Sequence, residues 1–283
     1  MMNLPFEIDL KDKVAVVTGA GGVLCSLFAK AIARCGAKVA LLDLNLEAAA
    51  KFAADIAAEG GTAKAYAANV LKKETLLEAR EQIRRDFGTC DILVNGAGGN
   101  NPRATTTNEY YLDGDMEKDI TTFFNLEPAG VEFVFNLNFL GTLIPTQVFA
   151  EDMLGKEDAS ILNVSSMNAF TPLTKIPAYS GAKAAVSNFT EWLAVHFSKA
   201  NIRVNAIAPG FFVTAQNQAL LFDEAGNPTA RTAKILNSTP MGRFGEAEEL
   251  IGSLLFLLSK PAAGFITGVV IPVDGGFSAY SGV

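Results

Sequence analysis

Short apolar runs separated by segments of helical period constrain this 283-residue chain more than any other feature. The runs cover 14–17, 39–42, 63–67, 92–94, 161–164, 204–208 and 269–273. Runs this short and apolar suit strands buried on both faces, the condition of a parallel sheet. Between them, 26–35, 46–59, 73–87 and 183–199 place apolar residues at helical spacing. Strands alternating with helices build βαβ units. The expected fold is α/β: one doubly wound Rossmann domain over 1–283, with a seven-stranded parallel sheet and helices on both faces. Repeats, low-complexity tracts and linkers are not apparent. Two stretches, 100–134 and 211–243, are too long for ordinary connections. They read as a loop insertion and a substrate lid, because both follow strands and ligands bind beyond the carboxyl ends of such sheets.

Composition narrows the partners. A net charge of −7 and a pI near 4.9 argue against a nucleic-acid face or a polybasic membrane surface. Residues 1–13 lack a basic segment followed by an apolar run, so no signal peptide is expected. The apolar stretches after Leu250 are broken by Ser, Lys, Pro and Gly, so no membrane span is expected. Three cysteines, Cys25, Cys35 and Cys90, and one histidine, His196, give no metal-ligand spacing. His196 takes a packing role near a helix end. A cytoplasmic protein with free thiols is the expectation.

The chemistry-bearing residues fall at the ends of the strands. The first strand runs into Thr18-Gly19-Ala20-Gly21-Gly22-Val23-Leu24 before a helix. Glycines in such a turn admit a pyrophosphate to the backbone, and the helix N-terminus favours its charge. Asp43 closes the second strand, 24 residues beyond Gly19. Its carboxylate can hold a ribose diol and repel a 2′-phosphate, which favours NAD (NADH) over NADP; alternatively it is a strand-end turn residue. Tyr179 and Lys183 share a helix face at i and i+4, and Ser166 lies thirteen residues before Tyr179. An ammonium beside a phenol is expected to lower its pKa, making the Tyr an acid or base near neutral pH. The Ser hydroxyl can bind the same substrate oxygen.

Taken in order, these pieces resemble the short-chain dehydrogenase/reductase family across nearly the whole sequence. They are Thr18-Gly19, Asp43, Asn69-Val70, Asn95-Gly96-Ala97-Gly98, Asn138-Phe139-Leu140-Gly141, Ser166, Tyr179, Lys183, Pro209-Gly210 with Thr214, and Asp274-Gly275-Gly276. The resemblance implies Tyr179 as general acid/base, Lys183 as its modulator and nicotinamide-ribose ligand, and Ser166 as the substrate-orienting hydroxyl. It implies Asn138 as holder of a relay water. It further implies a cofactor cleft lined by Gly19, Gly21, Gly22, Val23, Leu24, Asp43, Asn69, Val70, Asn95, Gly96, Ala97, Pro209, Gly210, Phe212 and Thr214. Two positions depart from the family pattern: Val23 and Cys25 stand where glycines are usual, and Asn69 where an Asp is. Their side chains must avoid the cofactor, or the turn must be reshaped.

The stretches 18–25, 95–102 and 165–172 are similar to one subgroup of that family, the D-mannonate oxidoreductases (fructuronate reductases). That subgroup implies interconversion of D-fructuronate and D-mannonate, with hydride transfer at C5. A sugar-acid anion calls for cations and amides, and Asn100, Asn101, Arg103, Gln147, Asn168, Lys175 and Arg231 are the candidates. Arg103 is the first choice for the carboxylate, because a guanidinium binds it through two hydrogen bonds. Gluconate 5-dehydrogenase or another polyol dehydrogenase is the nearest alternative. A 3-oxoacyl carrier-protein reductase and a dinucleotide-binding protein without turnover are further ones. The family also implies a homotetramer, packing through 141–155 and 183–199.

Overall fold

The structure, a computed structural model, describes residues 7–213, 221–222 and 228–282. Seven strands, β1 (Val14–Thr18), β2 (Lys38–Asp43), β3 (Thr62–Ala67), β4 (Ile92–Asn95), β5 (Ala159–Val164), β6 (Ile202–Pro209) and β7 (Val270–Val273), form one sheet. Their order is β3-β2-β1-β4-β5-β6-β7, and all six pairings are parallel. This is the expected doubly wound α/β fold, with each strand on one of the apolar runs. Burial follows position: β1 and β6 are buried throughout, whereas the edge strand β3 buries only Tyr66 fully. The order reverses between β1 and β4, so a crevice opens beyond their carboxyl ends.

Eight helices of eight or more residues are among the described residues: α1 (Val23–Arg34), α2 (Leu46–Ala58), α3 (Lys73–Asp86), α4 (Pro128–Phe135), α5 (Gly141–Phe149), α6 (Pro177–His196), α7 (Ala230–Asn237) and α8 (Glu249–Leu258). One face of the sheet packs Phe28 and Ile32 of α1, Ile56 of α2, and Leu250, Leu254 and Leu257 of α8. The other packs Leu76 and Ile83 of α3, Val148 and Phe149 of α5, and Leu193 of α6. Each helix contributes a buried stripe at three- and four-residue spacing, as an amphipathic helix must. The buried Arg203 of β6 donates to the carbonyls of Leu257 and Leu258, satisfying groups that the end of α8 leaves unpaired, and to that of Ala263 just beyond.

Three boundaries differ from expectation. Helix α1 starts at Val23, so Val23 and Cys25 lie in its first turn rather than in the loop. Helix α6 starts at Pro177, because proline fits the first turn of a helix, where its missing N–H costs nothing. The 100–134 insertion ends in α4, which also opens on a proline, Pro128. From Pro128 to Met153 the chain is helical and apolar enough to cross a membrane by length and composition. Half of it is buried in this domain, against α3 and α6. Its centre, Asn136–Leu140, is a π-helical turn, a local widening that tends to occur at functional sites.

Candidate active site

Ser166 follows β5 in extended conformation and caps the 3₁₀ turn Met167–Ala169. Its buried hydroxyl accepts from the Asn168 N–H at 3.3 Å and faces the Tyr179 phenol closely enough to favour its ionised form. Lys183, one turn beyond Tyr179 on α6, is also buried, with Nζ 5.7 Å from the Tyr179 ring centroid. The ammonium donates to the Val164 carbonyl at 2.8 Å. Burial lowers the Lys183 pKa to about 8, and neighbouring Cys25 partly offsets this. Burial also raises the Tyr179 phenol above its usual range, while the Ser166 hydroxyl lowers it. The expected lowering by Lys183 is therefore not what dominates here. Desolvation penalises the phenolate, and the lysine directs a hydrogen bond to a backbone carbonyl instead.

Asn138 sits in the π turn, fully buried. Its Nδ2 donates to the carbonyls of Gly99 and Val134, and its Oδ1 accepts from the Gly99 N–H at 3.2 Å. The side chain thus clamps the loop after β4, and any relay water would have to use other groups. Sequence reasoning passed over Gly98 as a site residue. A Cβ there would lie 2.7 Å from Asn138 Oδ1 and 3.1 Å from Lys183 Nζ, so Asn138 and Lys183 converge on that glycine. Its place between Ala97 and Gly99 was the available signal.

The cofactor side is built around Thr18 and Gly19. Thr18 Oγ1 accepts from the N–H groups of Gly96 and Ala97 at 3.1 and 3.3 Å. Gly19 has φ +67, and a Cβ on it would come within 2.9 Å of the Ala97 backbone. Helix α1 follows Gly22 with no side-chain cap, so its first amides face the crevice as an anion site can. Asp43 Oδ2 accepts from the Gly21 N–H at 2.9 Å, and Oδ1 from the Asn45 N–H at 2.8 Å. Cys25 turns inward: a Cβ on Gly96 would collide with its Sγ, and burial pushes its thiol up to about 12. Val23 borders an open cleft with Val213 and Phe244. The glycine-to-Val and glycine-to-Cys changes are thus absorbed by an early helix start and by Gly96.

Other expected cofactor residues are placed less simply. Asn95 points into the core, donating to Thr146 Oγ1 and Asn163 Oδ1, both at 2.9 Å. Asn69 Oδ1 accepts from the Leu71 N–H, and Val70 packs toward Gly141. Gly210 lies against Asp274, and the buried Phe212 ring is pressed on Gly245. Leu24 is half-buried in the first turn of α1. Pro209 ends β6, and Thr214 lies outside the described residues.

Of the substrate candidates, Asn168 joins Ser166 directly. It is buried, and its Oδ1 has no hydrogen-bond partner. A buried orphan acceptor is costly, so its place beside Ser166 marks where a ligand hydroxyl can donate. Gln147 requires correction: it lies on the outer face of α5, in a groove with Leu154, Trp192 and His196. Arg103 is drawn 3.5 Å from Glu127 at the surface, because its backbone is held under α4 at Gly130. Asn100 donates to Thr105, and Asn101 Oδ1 accepts from the Arg103 N–H. Lys175 adopts φ +71 in the turn before α6, and Arg231 is exposed on α7. Phe277 packs edge-on against Phe211, and the Ser278 carbonyl accepts from Thr171 Oγ1 at 3.4 Å, whereas 279–282 are exposed.

The fold agrees with comparisons to known proteins. A family model described as "Enoyl-(Acyl carrier protein) reductase" matches residues 24–278. The chain belongs to the short-chain dehydrogenase/reductase family. It is an oxidoreductase of that family. An uncharacterized oxidoreductase of Haemophilus influenzae is 64% identical over 282 residues, covering 100% of this chain and 99% of the relative. A gluconate 5-dehydrogenase of Gluconobacter oxydans is 31% identical, covering 98% and 99%. Among solved structures of the family, one from Haemophilus influenzae, provisionally assigned as a D-mannonate oxidoreductase and holding NAD, is 64% identical. It superposes with a TM-score of 0.95 over 99% of this chain and 100% of that one.

Proposed function

We infer that the protein is an NAD-dependent oxidoreductase interconverting D-fructuronate and D-mannonate. One observation carries the reading: near-complete structural superposition, at 64% identity, on the NAD-holding Haemophilus influenzae protein. The residues fit the dinucleotide. The uncapped start of α1 suits the pyrophosphate, and Asp43, already accepting the Gly21 N–H, suits a ribose diol. Neither Arg nor Lys occurs in 18–25 or 44–46, which favours NAD over NADP.

Bound NADH supplies the hydride. The protein's part is to hold the C5 carbonyl and to deliver a proton. Ser166 donates to the carbonyl oxygen, stabilising charge as it develops there. Tyr179, protonated because of its burial, gives its proton to the same oxygen. Lys183, as an ammonium, holds the cofactor ribose and stabilises the phenolate left behind. Asn168 Oδ1 accepts from a substrate hydroxyl. In oxidation the proton returns to Tyr179.

The test is oxidation of NADH, beside NADPH, with D-fructuronate, 5-ketogluconate and an acetoacetyl thioester. Fast turnover of fructuronate with NADH is expected. Preference for 5-ketogluconate would replace the substrate and keep the chemistry, in line with the gluconate 5-dehydrogenase relative. NADH binding without turnover of any ketone would leave a dinucleotide-binding protein.

We also infer a cytoplasmic homotetramer. Its support is the three free thiols and the exposed apolar side chains Trp192 and Val195 of α6 and Leu154 beyond α5, where Trp192 stacks on His196 at 4.7 Å. A groove of about 350 Å³ beside them is lined by Leu143, Leu154 and Phe189.

A further inference from the structure

The insertion and the lid, far apart in sequence, meet through a charged pair. Lys234 Nζ on α7 lies 2.9 Å from each oxygen of the Glu109 carboxylate, joining residues 125 positions apart. Neither partner hangs from a loose segment. On the insertion side, the buried Asp115 accepts from the Leu112 N–H, Asn108 Nδ2 and Lys118 Nζ at 3.0, 3.2 and 2.8 Å. Thr106 Oγ1 donates to the Asn108 carbonyl at 2.8 Å, so Glu109 projects from a braced turn. The Thr106 N–H donates to the Lys175 carbonyl at 2.8 Å, and Lys175 lies four residues before Tyr179 in a left-handed conformation that side chains rarely adopt.

On the α7 side, Thr229 caps the helix through the Thr232 N–H. Beyond its end, the Met241 N–H donates to the Gly275 carbonyl. Thr239 and Met241 line a cavity with Phe212, Val273 and Asp274, at the carboxyl ends of β6 and β7. An unbroken series of contacts therefore runs from the start of the catalytic helix, through Lys175, Thr106 and Glu109, to Lys234 and α7. Both segments stand on the side of the sheet where ligands bind. Lys175 and Arg231 also help to hold the Glu109 carboxyl below its usual range, after the leading effect of Lys234.

We propose that Glu109 and Lys234 form a strap that fixes α7 against the insertion at the mouth of the Ser166–Tyr179 site, so that the pair positions the substrate-binding wall. They are positioning residues and touch neither substrate nor cofactor. An exposed pair contributes little to global stability and is screened by salt. Wherever a segment exchanges between placements, even a small bias multiplies directly into their ratio. The kinetic consequence rests on the sugar-acid reading above; the structural one does not.

The experiment uses the full-length protein as Glu109→Gln, Lys234→Met and the charge-swapped double variant Glu109→Lys/Lys234→Glu. Amide hydrogen exchange is followed over 230–237. Each single variant should exchange about two to five times faster there, the range an exposed pair allows. The swap should recover part of the original rate, held back by Lys175 and Arg231, which also face position 109; a mere packing role for either side chain would recover none. High salt should speed exchange in the parent and leave Glu109→Gln unchanged. With a sugar acid that turns over, the single variants should raise KM several-fold with kcat within twofold. Unchanged exchange in both single variants, or a swap that recovers none of the rate, overturns the strap. Failure of fructuronate to react would remove only the substrate and leave the exchange result standing.

Discussion

Tyr179 and Lys183 resist charging for the same reason, burial, and the consequence for catalysis is a pH limit. Lys183 loses its proton near pH 8 in the unliganded protein, while the phenol stays protonated well beyond that. For ketone reduction, kcat/KM should be level below about pH 8 and fall above it, because that ratio reports the ionisations of the free enzyme. A profile level to pH 10 would remove the ammonium from the mechanism. Linkage gives the matching sign for folding. Above pH 8 the unfolded protein keeps the Lys183 proton longer than the folded one, so this group adds to stability as pH rises. Below pH 8 the buried ammonium costs on the order of 3 kcal/mol. Ser166, Tyr179 and Lys183 were legible in sequence because strand-end and helical spacing fix where such side chains go. Arg103 and Gln147 were not: their surroundings depend on Glu127, 24 residues away, and on which side of α5 faces the sheet.

At the scale of elements, the π turn and the loop after β4 act together through Gly98. Gly98→Ala would drive a methyl group between Asn138 Oδ1 and Lys183 Nζ. It should lower kcat on the order of tenfold or more, since small displacements of catalytic groups are costly. Far-UV circular dichroism should stay unchanged, and an unaltered kcat would show that the two groups need not converge. The central strands were readable because buried runs declare themselves; β3 and β7, at the sheet edges and largely unburied, were readable from their alternation with helices. The early start of α1 was not, because it follows from Val23 and Cys25 tolerating helix where a glycine turn was expected. The direction of the Asn95 side chain was not legible: a strand-end amide can face either way, and Thr146 and Asn163 draw it inward.

For the whole molecule, the strip around Trp192 is the proposed tetramer contact. Trp192→Glu should reduce the solution mass measured by light scattering from four chains to two or one. A retained tetramer would move the interface elsewhere. Thr18 bonds the start of the β4 loop and Gly19 abuts Ala97, which ties together two segments nearly eighty residues apart. The two walls of the crevice therefore lose their independent freedom when the protein folds, before any dinucleotide arrives. Binding then meets a preformed cleft with little backbone entropy left to surrender there, and affinity depends on contacts rather than on ordering.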